Sequence, residues 1–150
     1  MKRKVFFLAL ITTLTISISK AQDSGLGAGA IFGQPTGISL KLWTGSTTAL
    51  DGGVAWSFVN GGFFQVHGDV LIHALDFVQV TDGHLAGYFG IGARLRMSAD
   101  LHMGIRVPFG LDYMFSEAPV DIFLEVAPGL DLLPATTFWM DGGIGVRYFF

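Results

Sequence analysis

From Ser24 to Phe150 bulky apolar residues alternate with small, polar or charged ones, segment after segment, and no helical period of comparable length competes. Successive side chains of a strand point to opposite faces, so a chain with this period folds as strands with two unlike faces. About eight segments can be read. Segment one, Ser24 to Phe32, is glycine-rich; after the turn Gly33-Gln34-Pro35-Thr36, segment two sets Ile38, Leu40 and Leu42 against Ser39, Lys41 and Trp43. Segment three opposes Leu50, Val54, Trp56 and Phe58 to Asp51, Gly53, Ala55 and Ser57. Asn60-Gly61-Gly62 is a strong hairpin signal, and it leads into segment four, where Phe64, Val66, Val70 and Ile72 oppose Gln65, His67, Asp69 and His73.

Segment five places Leu85, Phe89, Ile91, Ala93, Leu95 and Met97 opposite Tyr88, Gly90, Gly92, Arg94 and Arg96. Beyond Ser98-Ala99-Asp100, segment six reads as one strand from Leu101 to Tyr113, with His102, Gly104, Arg106, Pro108, Gly110 and Asp112 on its second face. Ser116-Glu117-Ala118-Pro119 is the next turn. Segment seven opposes Val120, Ile122, Leu124 and Val126 to Asp121, Phe123, Glu125 and Ala127. Segment eight opposes Phe138, Met140, Ile144, Val146, Tyr148 and Phe150 to Asp141, Gly143, Gly145, Arg147 and Phe149. The longest connection is read at about Asp76 to His84, where the apolar Phe77, Val78 and Val80 favour an extension of the strand over a contact site. Leu50-Asp51-Gly52-Gly53-Val54 and Met140-Asp141-Gly142-Gly143-Ile144 form a weak repeat, which hairpin duplication or convergent packing would equally produce.

The N-terminus carries a different signal. Met1 to Ala21 has a basic start (Lys2, Arg3, Lys4), an apolar stretch from Val5 to about Ile18 and a small-x-small site at Ser19-Lys20-Ala21, the pattern of a cleaved secretory signal peptide. Thr12, Thr13, Thr15 and Ser17 interrupt the apolar run, which is also shorter than the roughly 20 residues of a spanning helix. Its removal takes Lys2, Arg3, Lys4 and Lys20 from the 9 basic residues and none of the 12 acidic ones, so residues 22–150, the expected folded domain, are acidic. Nucleic acid is therefore excluded as an expected partner. The absence of cysteine excludes disulfides and thiolate metal sites.

The direction of the two faces decides the rest. Only 14% of the residues are charged, against roughly a quarter in a soluble domain. Were the apolar face inside, as in a secreted, soluble, lipocalin-like barrel binding an apolar ligand, a narrow lumen would have to hold nearly every Phe, Leu, Ile, Val and Met of the sheet. Glycines such as Gly90, Gly92, Gly143 and Gly145 would then be left on the surface. The opposite arrangement distributes volume sensibly, because a barrel of about eight strands has a lumen just wide enough for side chains to fill. The expected fold is all-β: a closed antiparallel up-and-down transmembrane β-barrel of about eight strands. Its lumen is expected to hold a compensated charge network, with Lys41, Arg94, Arg96, Arg106 and Arg147 meeting Asp51, Asp69, Asp112, Asp121, Glu125 and Asp141, the condition for burying ions without a large penalty. Arg106 and Glu125, on adjacent strands, are the first pair to test. Trp43, Phe58, Phe64, Tyr113, Phe138 and Tyr148, near segment ends, are candidates for interfacial girdles.

The ending Gly145-Val146-Arg147-Tyr148-Phe149-Phe150 resembles the terminal strand of outer-membrane β-barrel proteins, which typically finish in an aromatic residue with apolar residues at alternate positions before it. Ile144, Val146, Tyr148 and Phe150 match that assembly signal. Together with the leader and the apolar-out pattern, the chain is similar to small OmpA-like barrels. The resemblance implies location in the cell outer membrane of a Gram-negative bacterium and contact with outer-membrane lipids. It also implies delivery by periplasmic chaperones to the barrel-assembly machinery, and a monomer.

Chemistry is sought and not found. Gly25, Gly27, Gly29 and Gly33 lack the strand and helix that flank a nucleotide-binding glycine loop. His67 and His73 share a face with Asp69 but lie six residues apart on a strand, about 20 Å, too far to chelate one ion together. The nearest grouping for a lipid-modifying enzyme is His102 with Ser98 or Asp100, in a tight turn without an oxyanion arrangement. No catalytic residue, cofactor or metal site is therefore assigned, and the expected role is non-enzymatic, structural or interactive.

Overall fold

The structure is a computed structural model and describes residues 25–58, 61–78 and 80–150, the side chains of 75–77 excepted. The leader Met1 to Ala21 and Asn60 of the expected hairpin lie outside the described residues. Nine strands follow in order: β1 (Gly25–Gln34), β2 (Thr36–Trp43), β3 (Thr48–Ser57), β4 (Phe63–Val78), β5 (His84–Met97), β6 (Leu101–Arg106), β7 (Phe109–Met114), β8 (Val120–Leu133) and β9 (Thr137–Phe149). Each is antiparallel to its neighbours, and the ladder closes because β1 pairs with both β2 and β9. Closure leaves no strand edge unpaired.

The single expected sixth strand is two elements at one position in the ring. Proline has no N–H, so Gly90 N donates to Pro108 O (2.8 Å) while the reciprocal ladder bond cannot form. Register survives the break: Gly92 faces Arg106 and Phe89 faces Phe109 on one side, and Gly129 faces Arg106 and Val126 faces Phe109 on the other. The barrel is thus eight-stranded in circumference. Segment seven also runs further than expected, to Leu133, because Pro128 offers its carbonyl to Val107 N (2.9 Å) and the strand passes through it. The expected long connection shortens to 79–83, since β4 continues to Val78. At the β3–β4 turn, Gly61 and Gly62 have φ of 86° and 76°, values that suit glycine in a hairpin.

The faces are inverted relative to a soluble protein. Ile38, Leu40 and Leu42 on β2, Phe89 and Ile91 on β5, and Ile144, Val146 and Tyr148 on β9 are exposed, Phe89 and Ile91 at 60% and 63%. Lys41, Arg94, Arg106 and Arg147 are buried, each at 3% or less. Lumen glycines make room for the large groups directly opposite them. Gly27 faces Phe149, Gly53 faces His67, Gly145 faces Phe123 and Gly129 faces Trp139. A Cβ at Gly27 would lie 2.6 Å from the Phe149 ring, and one at Gly53 would lie 2.6 Å from His67 Cε1. Glycine here is a volume device: the alternation of large and empty positions is what fills a narrow barrel without overpacking.

Gly25, where β1 begins, and Phe149, where β9 ends, lie at one rim. There Trp43, Ala49, Ala86, Met114 and Phe149 form a buried apolar cluster that plugs the lumen at the terminal side. The other rim carries the β1–β2, β3–β4, β5–β6 and β8–β9 connections, and it is the wetter mouth: the side chains of His102 and His67 are 31% and 12% accessible. No described helix is long and apolar enough to cross a membrane; the strands are the elements that could.

Candidate functional site

Between plug and mouth the lumen is layered with ions. Every Lys and Arg among the described residues lies on the inward face, where period two puts it. Nearest the plug, Lys41 on β2 pairs with Asp112 on β7, and Asp121 on β8 lies 3.9 Å from its Nζ. Arg147 on β9 grips Asp121 through Nε (3.0 Å) and Nη2 (2.9 Å) and extends Nη1 to Asp51 on β3 (3.0 Å). Such bidentate guanidinium pairs combine strength with a fixed geometry. Aromatic rings complete the layer. The Lys41 ammonium lies 4.5 Å from the Trp43 ring centre, Arg147 stacks on Phe123 at 3.9 Å, and His73 sits between Trp43 and Tyr88 with centroids at 4.5 and 5.3 Å.

The middle layer is organised by Arg106. Its Nη2 donates to Glu125 (2.6 Å), its Nε lies 3.2 Å from Asp69, and its Nη1 lies 4.0 Å from Asp141. Tyr88 Oη donates to the second Glu125 oxygen (2.9 Å), and Gln65 Nε2 donates to Asp141 (2.8 Å). Three carboxylates therefore share one guanidinium and take two neutral donors besides. At the mouth, Arg94 donates to Asp131 (2.7 Å), lies 3.7 Å from Asp141 and stacks on Trp139 at 3.3 Å; His102 Nδ1 meets the other Asp131 oxygen at 3.2 Å.

Of the residues read from the sequence as lumen ions, Lys41, Asp51, Asp69, Arg94, Arg106, Asp112, Asp121, Glu125, Asp141 and Arg147 come together in this way. Arg96 does not. It is half-buried at the last inward position before the β5–β6 turn, its guanidinium 3.8 Å from the Phe63 ring centre, and among the described residues it meets no carboxylate within ion-pair distance. Trp43 also departs from expectation: it is a plug residue rather than a girdle residue, because it shares the inward parity of Lys41. Phe58, Phe64, Phe138 and Tyr148 are exposed, as a girdle requires.

Asp131 escaped the sequence reading, although it keeps the odd-numbered parity of Asp121, Phe123 and Glu125. Segment seven, read from the sequence, ends at Ala127, short of it. Ser39, Gln65, His73 and Tyr88 are further buried polar members, each on the face its number assigns. Ser98 Oγ donates to the Asp100 carbonyl (3.3 Å) while His102 turns to Asp131, so these residues form no nucleophile relay in this arrangement. A small cavity of about 20 Å³ near the mouth is bordered by Gln65, His67, Arg106, Glu125 and Asp141.

A closed eight-position antiparallel barrel, apolar outside and filled with paired ions inside, has the architecture of the small OmpA-like barrels. Among solved structures, the N-terminal β-barrel domain of Pseudomonas aeruginosa OprF is similar, with a TM-score of 0.59 over 83% of this chain and 95% of that domain, at 14% identity. At that identity the likeness establishes the fold. No family model and no curated relative matches the chain.

Proposed function

We propose that the chain is a non-enzymatic, monomeric integral barrel of the outer membrane, with a structural or interaction role and a lumen held shut by its own side chains. The observation that carries this reading is the inversion of faces: Arg94, Arg106 and Arg147 are buried to 3% or less while Phe89 and Ile91 stand about 60% exposed. Acyl chains are the environment in which that surface is stable, and a closed strand ladder leaves no backbone group unpaired within them. The apolar plug and the three ion layers oppose a conducting pore. Ile144, Val146 and Tyr148, outward on β9, and Phe150 just past its end are the positions that chaperones and the assembly machinery would engage. The test is fractionation of cells expressing the full chain, followed by gel migration of the detergent extract before and after boiling. The expected result is an outer-membrane protein whose mobility changes on boiling. A mature protein that stays soluble without detergent would overturn the proposal.

A further inference from the structure

Asp51 on β3 and Asp69 on β4 are direct cross-strand partners, and His67 precedes Asp69 by two residues on the same inward face. Glycine at position 53 lets the imidazole lie down over β3, where a Cβ would meet His67 Cε1 at 2.6 Å and Nε2 at 3.0 Å. The result is that one ligand atom from each of Asp51, His67 and Asp69 lies within 4.8 Å of the others. Sequence spacing hid this trio, because it pairs a histidine with an aspartate on the neighbouring strand rather than with the distant His73.

We propose that these three residues bind one divalent transition-metal ion of the zinc type. Two carboxylate oxygens and one imidazole nitrogen form the mixed donor set that Zn²⁺ and its neighbours accept, whereas Ca²⁺ and Mg²⁺ prefer oxygen alone. Three features beyond the grouping support it. First, Asp69 is 4% exposed and neither of its oxygens receives a hydrogen bond, and the buried His67 Nδ1 has no hydrogen-bond partner either. The nearest cation to Asp69, Arg106 Nε, approaches at 3.2 Å without hydrogen-bond geometry.

Second, the charges are unequal. Lys41, Arg94, Arg96, Arg106 and Arg147 face Asp51, Asp69, Asp112, Asp121, Glu125, Asp131 and Asp141, an excess of two carboxylates that a divalent cation would cancel. Third, both competing guanidiniums keep other partners when the aspartates turn to a metal: Arg106 retains Glu125 at 2.6 Å and Arg147 retains Asp121 at 2.9 Å. Tetrahedral coordination at about 2.0–2.2 Å needs ligand atoms roughly 3.4 Å apart, so the trio has to close by about an ångström.

The test uses the barrel refolded in detergent and stripped of metal. Zn²⁺ is titrated by calorimetry and Co²⁺ by visible absorption, with Ca²⁺ as a control. One Zn²⁺ per chain, intense tetrahedral Co²⁺ bands and no response to Ca²⁺ are expected. His67→Ala and Asp69→Asn each raise Kd at least tenfold, while His84→Ala and His102→Ala leave it unchanged; gel mobility before boiling confirms that each variant is folded. Should Asp69→Asn fail to fold, His67→Ala decides alone, since its side chain borders the mouth. No binding to the folded wild type, unchanged binding in His67→Ala, or loss in His102→Ala would overturn the site. None of these outcomes bears on whether the barrel resides in a membrane.

Discussion

Arg106→Leu is the substitution that tests the lumen most directly, since Arg106 is the one cation shared by Glu125, Asp69 and Asp141 at 2.6, 3.2 and 4.0 Å. Leucine keeps part of the volume and removes the charge. Glu125 retains the Tyr88 hydroxyl at 2.9 Å, and Asp141 retains Gln65 at 2.8 Å and Arg94 at 3.7 Å. Asp69 is left with His67 at 4.0 Å. Breaking a buried ion pair from one side typically costs about 3–5 kcal/mol, because the surviving charge stays desolvated. With a urea slope of about 2 kcal/mol per molar, the unfolding midpoint should fall by about 2 M. The assay is urea unfolding of the detergent-folded barrel, followed by tryptophan fluorescence and by gel mobility. Adding Asp69→Asn to the variant should recover part of the loss, a coupling on the order of 0.5–3 kcal/mol. An unchanged midpoint for Arg106→Leu, or strict additivity in the double variant, would refute the shared-cation reasoning.

Gly145→Val drives a side chain into the Phe123 ring and should destabilise the barrel by about 1–3 kcal/mol in the same unfolding assay, while a neutral result would show that the glycines are not volume devices. Deleting Phe150 removes its hydrogen bond to Leu26 O (3.0 Å), a loss of about 1 kcal/mol, yet should reduce outer-membrane levels far more than that; normal levels by immunoblot would count against the terminal strand as an assembly signal. His102→Ala should leave the lipid A profile of expressing cells unchanged, and an altered profile would favour a lipid-modifying enzyme.

The fold was legible because period two is a local property with a global consequence. Once Lys41, Asp69, Arg106, Asp121 and Arg147 share a parity against Leu40, Val70, Ile105, Ile122 and Val146, a strand can only present them to opposite faces, and the volume of those faces decides which one lines the lumen. The same rule extends segment seven past Ala127 to Asp131, through Pro128, whose carbonyl, bonded to Val107, keeps the strand in register. Partner choice is another matter. That Arg106 serves three acids, that Arg96 has a ring instead of a carboxylate, that Trp43 plugs the terminal rim, and that Asp51 stands beside His67 all depend on cross-strand register and on which strand closes the ring. Register is fixed by turn lengths and by interruptions such as Pro108, and strand closure brings together residues about a hundred positions apart, as with Arg147 and Asp51. Alternation along one strand carries no record of either, so the sequence determined which groups turn inward, and only the closed barrel decided which of them meet.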